Sequence, residues 1–501
     1  MYARSAFRPV LIGCLVAAAF VLALVLRLQQ ARAPMVFDEF ASMYFSQHTL
    51  GQLWGWWMLR ETNPPLFYSI LKLWRLILPE SQPALRLLPL LISLAQIGLL
   101  ARFAGKTYGG LAAVFCVVLF ALSPSDIYQS EYVRGYVLAK LAVVVSFIGL
   151  VSAMEDKNHP TWRGWAAYAG GAVVAIYSHT TMLLWPGIAS IAVLAEWALC
   201  RKFSCARLMA LVLANLAVAV FSCWVLWFAI EQLHNRSANI SWIKPLSLED
   251  YGSSLNLQLL LDGTINSALM AALMIVGILR SFRNRVTRLS LFIVVCTLIA
   301  FKVADLVHPI ISDYTMHWCA NFTVLLAAAA FANWQHRPRL VWQFAGYAAA
   351  AAATVALIGD GLMELRDDIW IPKPQDFHYT VQRVAHVPHA ALLVSHESMG
   401  VVVTQACMLE FHAPGCPFPL VVMRNPARSD SWAFGGDSHP PVSAPQVRAA
   451  LGHVQKVFVF SRYVYTPLAQ LGMQSARYHD VAWDDGELFG PIPITDFRQH
   501  R

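Results

Sequence analysis

The chain has 501 residues, of which 57% are hydrophobic and 13% charged; a soluble domain carries about 45–50% apolar and ~25% charged residues. The apolar excess excludes an ordinary soluble core and reads as membrane. The net charge of +8 does not point to nucleic acid, because the basic residues sit in short loops between apolar runs, where they set topology.

Runs of about 17–25 apolar residues cross a bilayer as helices. The first, from Val10 to Leu26, follows Arg4 and Arg8. It is long for the core of a signal peptide, and many further spans follow, so it is read as an uncleaved first span. Further spans are expected near 86–104, 108–126, 136–154, 163–179, 181–200, 208–231, 265–280, 289–307, 314–333 and 340–360, about eleven in all. The segment 66–79 is apolar but short, and it carries Lys72 and Arg75. It is expected to lie at the interface rather than to cross.

With the N-terminus inside, the inner loops hold Arg102, Lys106, Lys157, Arg163, Arg201, Lys202, Arg207, Arg280, Arg283, Arg285, Arg288, Arg337 and Arg339. The outer loops after the first hold only Arg134, Arg236 and Lys244. Cytoplasmic loops are enriched in Lys and Arg, so this bias supports the parity. Making 66–79 a span would invert it.

The expected division is a transmembrane domain over 1–360 and an extracytoplasmic domain over 361–501. Past Asp367, Asp368, Pro372, Pro374 and Asp376 the pattern changes. Ala390–Ser395, Pro419–Met423 and Lys456–Ser461 read as buried strands, and Gln375–Val387, Ser398–Phe411 and Ala444–Val454 as helices. That alternation predicts a small α/β unit. Cys407 and Cys416 lie in this tail, where their spacing permits a disulfide in an oxidising compartment. The other seven cysteines lie in or beside apolar runs and read as small buried apolar residues.

Candidate chemistry lies in the outer loops. The first opens Val36-Phe37-Asp38-Glu39-Phe40, holds Trp54, Trp56 and Trp57, and ends Arg60-Glu61-Thr62-Asn63-Pro64-Pro65-Leu66. The bland reading of Asp38 and Glu39 is a surface cap on the next helix. A later outer loop reads Glu131-Tyr132-Val133-Arg134-Gly135-Tyr136. If the next helix includes it, Glu131 and Arg134 share one face at i and i+3. His179 follows Tyr177-Ser178 at the outer end of a span; the bland alternative is an interfacial cap.

Taken in order, these motifs resemble the GT-C glycosyltransferases: Asp-Glu opening a long first outer loop, a polar residue before Pro-Pro-Leu, Ala-Leu-Arg-Leu at Ala84–Leu87, and Glu-x-x-Arg-x-Tyr. The branch is family 39-like, with protein O-mannosyltransferases, lipid A aminoarabinose transferases and bacterial lipopolysaccharide-core sugar transferases. The resemblance covers roughly residues 1–200, and two features depart from it. Asn63 stands where relatives have His or Lys, and the late outer loop His308–His317 lacks their Arg-Tyr pair. The later half is therefore placed by hydropathy alone.

The resemblance implies an inverting, single-displacement transfer of a sugar from a polyprenyl-phosphate donor to a hydroxyl of a glycan, lipid or protein of the cell envelope. It implies catalytic roles for Asp38, the general base, for Glu39, which orients the base or the acceptor, and for Glu131, a second acid or the partner that fixes Arg134. It implies substrate-binding roles for Arg60, Asn63, Arg134, Tyr136 and His179, and a bacterial inner membrane as the location. Neither a cofactor nor a metal site is indicated: no His/Cys/Asp cluster has metal-ligand spacing, and no Gly-rich phosphate loop follows a strand. The reading from another class is a lipid or sugar transporter, whose paired repeats and broken midplane helices are not evident.

Overall fold

The structure is a computed structural model that describes residues 2–155, 162–235, 243–258, 264–312, 314–332, 355–356, 359, 377–395, 397–424, 440–462, 467–483 and 486–497. Its first part is a helical bundle. Without water to satisfy backbone polar groups, apolar runs in lipid must close their hydrogen bonds within a helix. Accordingly α1 (Tyr2–Gln30), α5 (Gln82–Tyr108), α8 (Tyr136–Ala153), α10 (Trp185–Leu199, with the 3-10 turn from Thr180) and α15 (Arg285–Val307) follow expected spans. Among the described residues five single helices are long and apolar enough to cross, or seven if each of two bent pairs is one span. The bent pairs are α6 (Gly110–Leu122) with α7 (Pro124–Glu131), at 69°, and α11 (Cys205–Phe221) with α12 (Cys223–Asn235), at 63°; the short α13 (Leu248–Gln258) comes next in the chain. The expected spans at 163–179, 265–280 and 314–333 correspond to α9 (Trp162–Ser178), α14 (Thr264–Ser281) and the interrupted run His317–Phe331 with α16 (Ala320–Ala328). These fall below that length and apolarity over their described residues. The expected last span and the division at 360/361 fall, but for residues 355–356 and 359, outside the described residues.

The bundle packs through small residues, as helices in lipid do. At Gly171 of α9 a Cβ would lie 2.6 Å from the Ser146 backbone nitrogen of α8, so only glycine admits this approach. At the end of the bundle that holds the expected inner loops, Arg288 of α15 grips Glu196 of α10 with two hydrogen bonds of 2.6 and 2.7 Å.

Between α1 and α5 the chain leaves and returns on one side. Gln82 and Arg86, at the start of α5, donate to the Ala31 and Ala33 carbonyls just past α1. The intervening α2 (Phe37–Gln47), α3 (Leu50–Leu53) and α4 (Leu66–Arg75) stay there. At 10 residues, α4 is about 15 Å long at ~1.5 Å per residue, half of the ~30 Å hydrocarbon core. One face is buried and the other carries apolar side chains open to the surroundings: Phe67, Tyr68 and Leu71 are buried, while Leu73, Leu76 and Ile77, at and just beyond its end, are exposed. The interfacial reading of 66–79 therefore matches the helix.

The C-terminal part is a five-stranded mixed sheet, in the order β2 (Leu420–Val422), β1 (Ala390–Val394), β3 (Lys456–Arg462), β5 (Gly486–Pro493), β4 (His479–Trp483). The three expected strands form its parallel half, with Leu392 opposite both Leu420 and Phe458. The antiparallel half, β4 and β5, was not expected: His479–Trp483 is polar and partly exposed, so it lacks a buried-strand pattern. The helices α17 (Phe377–Ala385), α18 (Glu397–Phe411) and α19 (Ala444–Leu451) lie where helices were expected. Just beyond α18, Cys416 closes a disulfide to Cys407 with Cα atoms 5.0 Å apart. Side chains alternate across the strands. Leu392, Val394, Phe458 and Phe460 face one core, which also contains Phe37, Phe40, Met43 and Phe45 of α2. Leu393, Val457 and Val459 face the other core with α19.

Candidate active site

The site is built on α2. Half of a capping box starts the helix: the Glu39 carboxylate accepts from the Val36 amide at 2.9 Å, satisfying an otherwise open backbone donor. Of residues 37–46, only Asp38 is not buried. Its side chain is 35% exposed. Packing thus immobilises the whole helix while one carboxylate faces solvent.

Two donors hold that carboxylate. Arg134 Nη2 donates to Asp38 Oδ1 at 2.9 Å, and the Tyr132 hydroxyl donates to Oδ2 at 2.7 Å. Arg134 also donates through Nη1 to Glu61 Oε1 at 2.9 Å and to the Tyr68 hydroxyl at 2.6 Å. Glu61 in turn accepts from Tyr68 at 3.0 Å and from Asn63 Nδ2 at 3.0 Å. Burial works against the Arg134 charge, but the Asp38 and Glu61 carboxylates outweigh it and hold the guanidinium well above its usual range. Burial likewise pushes the Tyr68 hydroxyl well up, so it remains a donor to Glu61.

Glu39 faces away from this group. It pairs with Arg86 at 3.0 and 2.7 Å, with both side chains at most 4% exposed. The Val133 amide donates to it as well, at 3.4 Å. Glu39 thus ties α2 to the start of α5 and to the turn that carries Tyr132 and Arg134.

The expected i, i+3 pairing of Glu131 with Arg134 is corrected. Glu131 ends α7 and α8 starts only at Tyr136, so no single helix carries both. The turn between them sends Arg134 to Asp38 and Glu61. Glu131 is 4% exposed, its Oε1 has no hydrogen-bond partner, and it lines a small cleft with Gln30, Glu39, Arg86, Tyr128 and Tyr132.

Aromatic rings wall the site. Tyr128, Tyr132 and Tyr136 recur every fourth residue, with neighbouring centroids 5.6 and 6.1 Å apart. Tyr314 packs across all three at 5.3, 5.9 and 6.0 Å. His179 lies 4.8 Å from Tyr136 and bonds locally through Nδ1 to Thr181, an arrangement that includes the capping role. Arg60 stands at the end of the 3-10 turn Trp56–Arg60, with its guanidinium 5.6 Å from the Trp57 ring centre. The structure thus brings together Asp38, Arg134, Tyr136, His179 and, through Glu61, Asn63.

Sequence reasoning did not select Glu61, Tyr68, Arg86, Tyr128, Tyr132 or Tyr314. Arg86 and Tyr132 lay inside quoted motifs, and the tyrosine spacing of four was a visible signal. Tyr314 comes from a loop whose partner in space no periodicity reveals. Also unforeseen is a second buried cluster beneath α7. Asp126 accepts from Arg27 at 2.6 Å and pairs with Lys140, and Lys140 is 3.2 Å from His317 Nδ1. It fastens α7 to α1 and α8. Among the described residues no group of three or more His, Cys, Asp or Glu could hold a metal ion.

No family model matches the sequence, and no curated protein matches it. The three-dimensional likeness spans the molecule. ArnT from Cupriavidus metallidurans bound to undecaprenyl phosphate superposes with a TM-score of 0.60 at 13% identity, over 96% of this chain and 98% of that one. The chain shares the fold of ArnT. ArnT in the apo state gives the same TM-score. The archaeal oligosaccharyltransferase AglB from Archaeoglobus fulgidus, in complex with an inhibitory peptide and a dolichol-phosphate, gives 0.51 at 11% identity, over 91% of this chain and 70% of that one. The shared fold therefore extends past the residues that carry the motifs, through the hydropathy-assigned half and the C-terminal sheet.

Proposed function

We propose that this integral membrane protein is an inverting glycosyltransferase that takes a sugar from a polyprenyl-phosphate donor to an acceptor hydroxyl at the outer face of the membrane. The observation that carries the reading is Asp38: the only open residue along residues 37–46 of a buried helix, oriented through both oxygens. The reading is supported by the fold and by the lipid phosphates held by ArnT and AglB. The first outer loop and the C-terminal unit share one core on one side of the bundle, and the scarcity of Lys and Arg in the loops of that side supports reading it as the outer face.

In this scheme the acceptor oxygen attacks the anomeric carbon as its proton passes to Asp38. The bond from that carbon to the phosphate oxygen breaks, and its electron pair leaves on the lipid phosphate. A positioned carboxylate contributes typically about 10²–10⁴-fold as general base. Arg134 and Tyr132 fix the carboxylate, which supplies the geometric component of the rate. Arg60 and Asn63, on the same loop, are the candidates for the donor side, Tyr136 and His179 for the sugar side, and Glu131 for a second acid in the adjoining cleft.

Acceptor-dependent release of free polyprenyl phosphate from a purified polyprenyl-phosphate sugar, with the product identified by mass spectrometry, tests the reading. The alternative, a transporter without transferase activity, predicts movement of the intact lipid-linked sugar and no new glycosidic bond.

A further inference from the structure

The helix that presents Asp38 is not held by the membrane bundle alone. Phe37 and Phe40 flank Asp38 in sequence, and both rings pack on Phe377 of α17, at 6.5 and 5.5 Å. Phe377 in turn meets Phe460 of β3 edge-on at 5.5 Å. At the far end of α2, Gln47 and Gln405 of α18 exchange two amide hydrogen bonds of 2.8 and 3.2 Å. The C-terminal unit therefore grips α2 at both ends, and the two share a single buried core.

We propose that the C-terminal α/β unit is a positioning element of the active site, with Phe377 as the residue that fixes the turn of α2 carrying Asp38. The proposal rests on the reading of Asp38 as general base. Phe377 is fully buried, so deleting its ring leaves a void that its neighbours fill only in part. Phe37 and Phe40 then lose the surface that sets the roll of α2 about its own axis. Tyr132 and Arg134, which aim Asp38, both stand on the opposite wall. A small rotation of α2 stretches both bonds at once. A displacement of about 1 Å at a distance from the chemistry costs on the order of 10²-fold in rate.

The sheet supplies its own control. Val459 neighbours Phe460 but faces the opposite core, with Val457 and Leu393, and is equally buried. Truncating it weakens the unit without touching α2.

The test is steady-state transfer by the full-length protein, per folded molecule, for Phe377→Ala, Phe377→Leu, Val459→Ala and Asp38→Asn. The expected result is a kcat for Phe377→Ala reduced roughly 10–10²-fold with little change in donor KM, substantial recovery in Phe377→Leu, and wild-type kcat in Val459→Ala. Gln47→Ala, which removes the grip at the other end, is expected to lower kcat in the same direction and serves if Phe377→Ala does not accumulate. Wild-type kcat in Phe377→Ala and Gln47→Ala, or equal losses in Phe377→Ala and Val459→Ala, overturns the positioning role even if Asp38→Asn is inactive. Near-normal turnover of Asp38→Asn overturns the base assignment instead, and with it the reason for a clamp on that turn.

Discussion

Arg134 is the cation on which the site turns, and Arg134→Gln tests that most sharply. Its two carboxylate partners differ in surroundings. Glu61 is 2% exposed and Arg134 7%, so that pair is buried; Asp38 is 35% exposed. Removing one partner of a buried pair costs about 3–5 kcal/mol, because the other charge stays buried and uncompensated. The screened contact with Asp38 adds at most about 1 kcal/mol. Tyr68 and Asn63 still donate to Glu61, which places the loss toward the lower end, at ~3 kcal/mol. Adding Glu61→Gln removes the orphaned charge. Arg134→Gln/Glu61→Gln should therefore be less destabilised than the sum of the single changes, with a coupling of about 0.5–3 kcal/mol. Equilibrium unfolding in mixed micelles measures all four proteins of the cycle. Strict additivity, or wild-type stability in Arg134→Gln, would refute the buried-pair account.

Other outcomes follow from the same geometry. Glu39→Gln strips the partner from buried Arg86 and should lower stability by about 3–5 kcal/mol, while the rate per folded molecule falls much less than in Asp38→Asn; unfolding and initial rates measured together check this. At Gly135 an added Cβ would stand 2.3 Å from the Ser178 carbonyl. Gly135→Ala should therefore push apart the start of α8 and the end of α9, weakening sugar use through Tyr136 and His179, seen as a raised donor KM. Cysteines at the exposed positions Arg283 and His453 should react with an impermeant maleimide from opposite sides of the membrane. Labelling of both from one side would refute the assigned topology.

Most of the architecture was legible in the sequence where one physical signal dominated. The apolar runs of α1, α5, α8 and α15 announce themselves by length, and Lys72 and Arg75 mark α4 as a helix that stays at the interface. The strands β1 and β3 show as short wholly apolar runs. β4 lacks that signal, because it opens on the polar pair His479 and Asp480 and lies at a partly exposed edge. Within the site, Asp38 and Arg134 could be selected because they stand in motifs. Their direct contact spans 96 residues of chain, and that distance is closed only by packing. Glu61 was passed over because a glutamate in an outer loop is ordinarily solvated; its burial comes from Tyr68, seven residues along the chain, and from Arg134. The shared core of α2 and the C-terminal unit was likewise hidden. Hydrophobic periodicity shows that Phe37, Phe377 and Phe460 are buried, but not that they are buried against one another.

The central claim is that Asp38 is the general base, and Asp38→Asn tests it most directly because the change keeps size and removes basicity. The measurement is the initial rate of sugar transfer from a purified polyprenyl-phosphate donor, at saturating acceptor and matched membrane abundance. The account predicts a fall of about 10²–10⁴-fold with insertion and abundance unchanged, since a one-third-exposed carboxylate contributes little to packing. Turnover of Asp38→Asn close to wild type would contradict it and move the search for the base to Glu131.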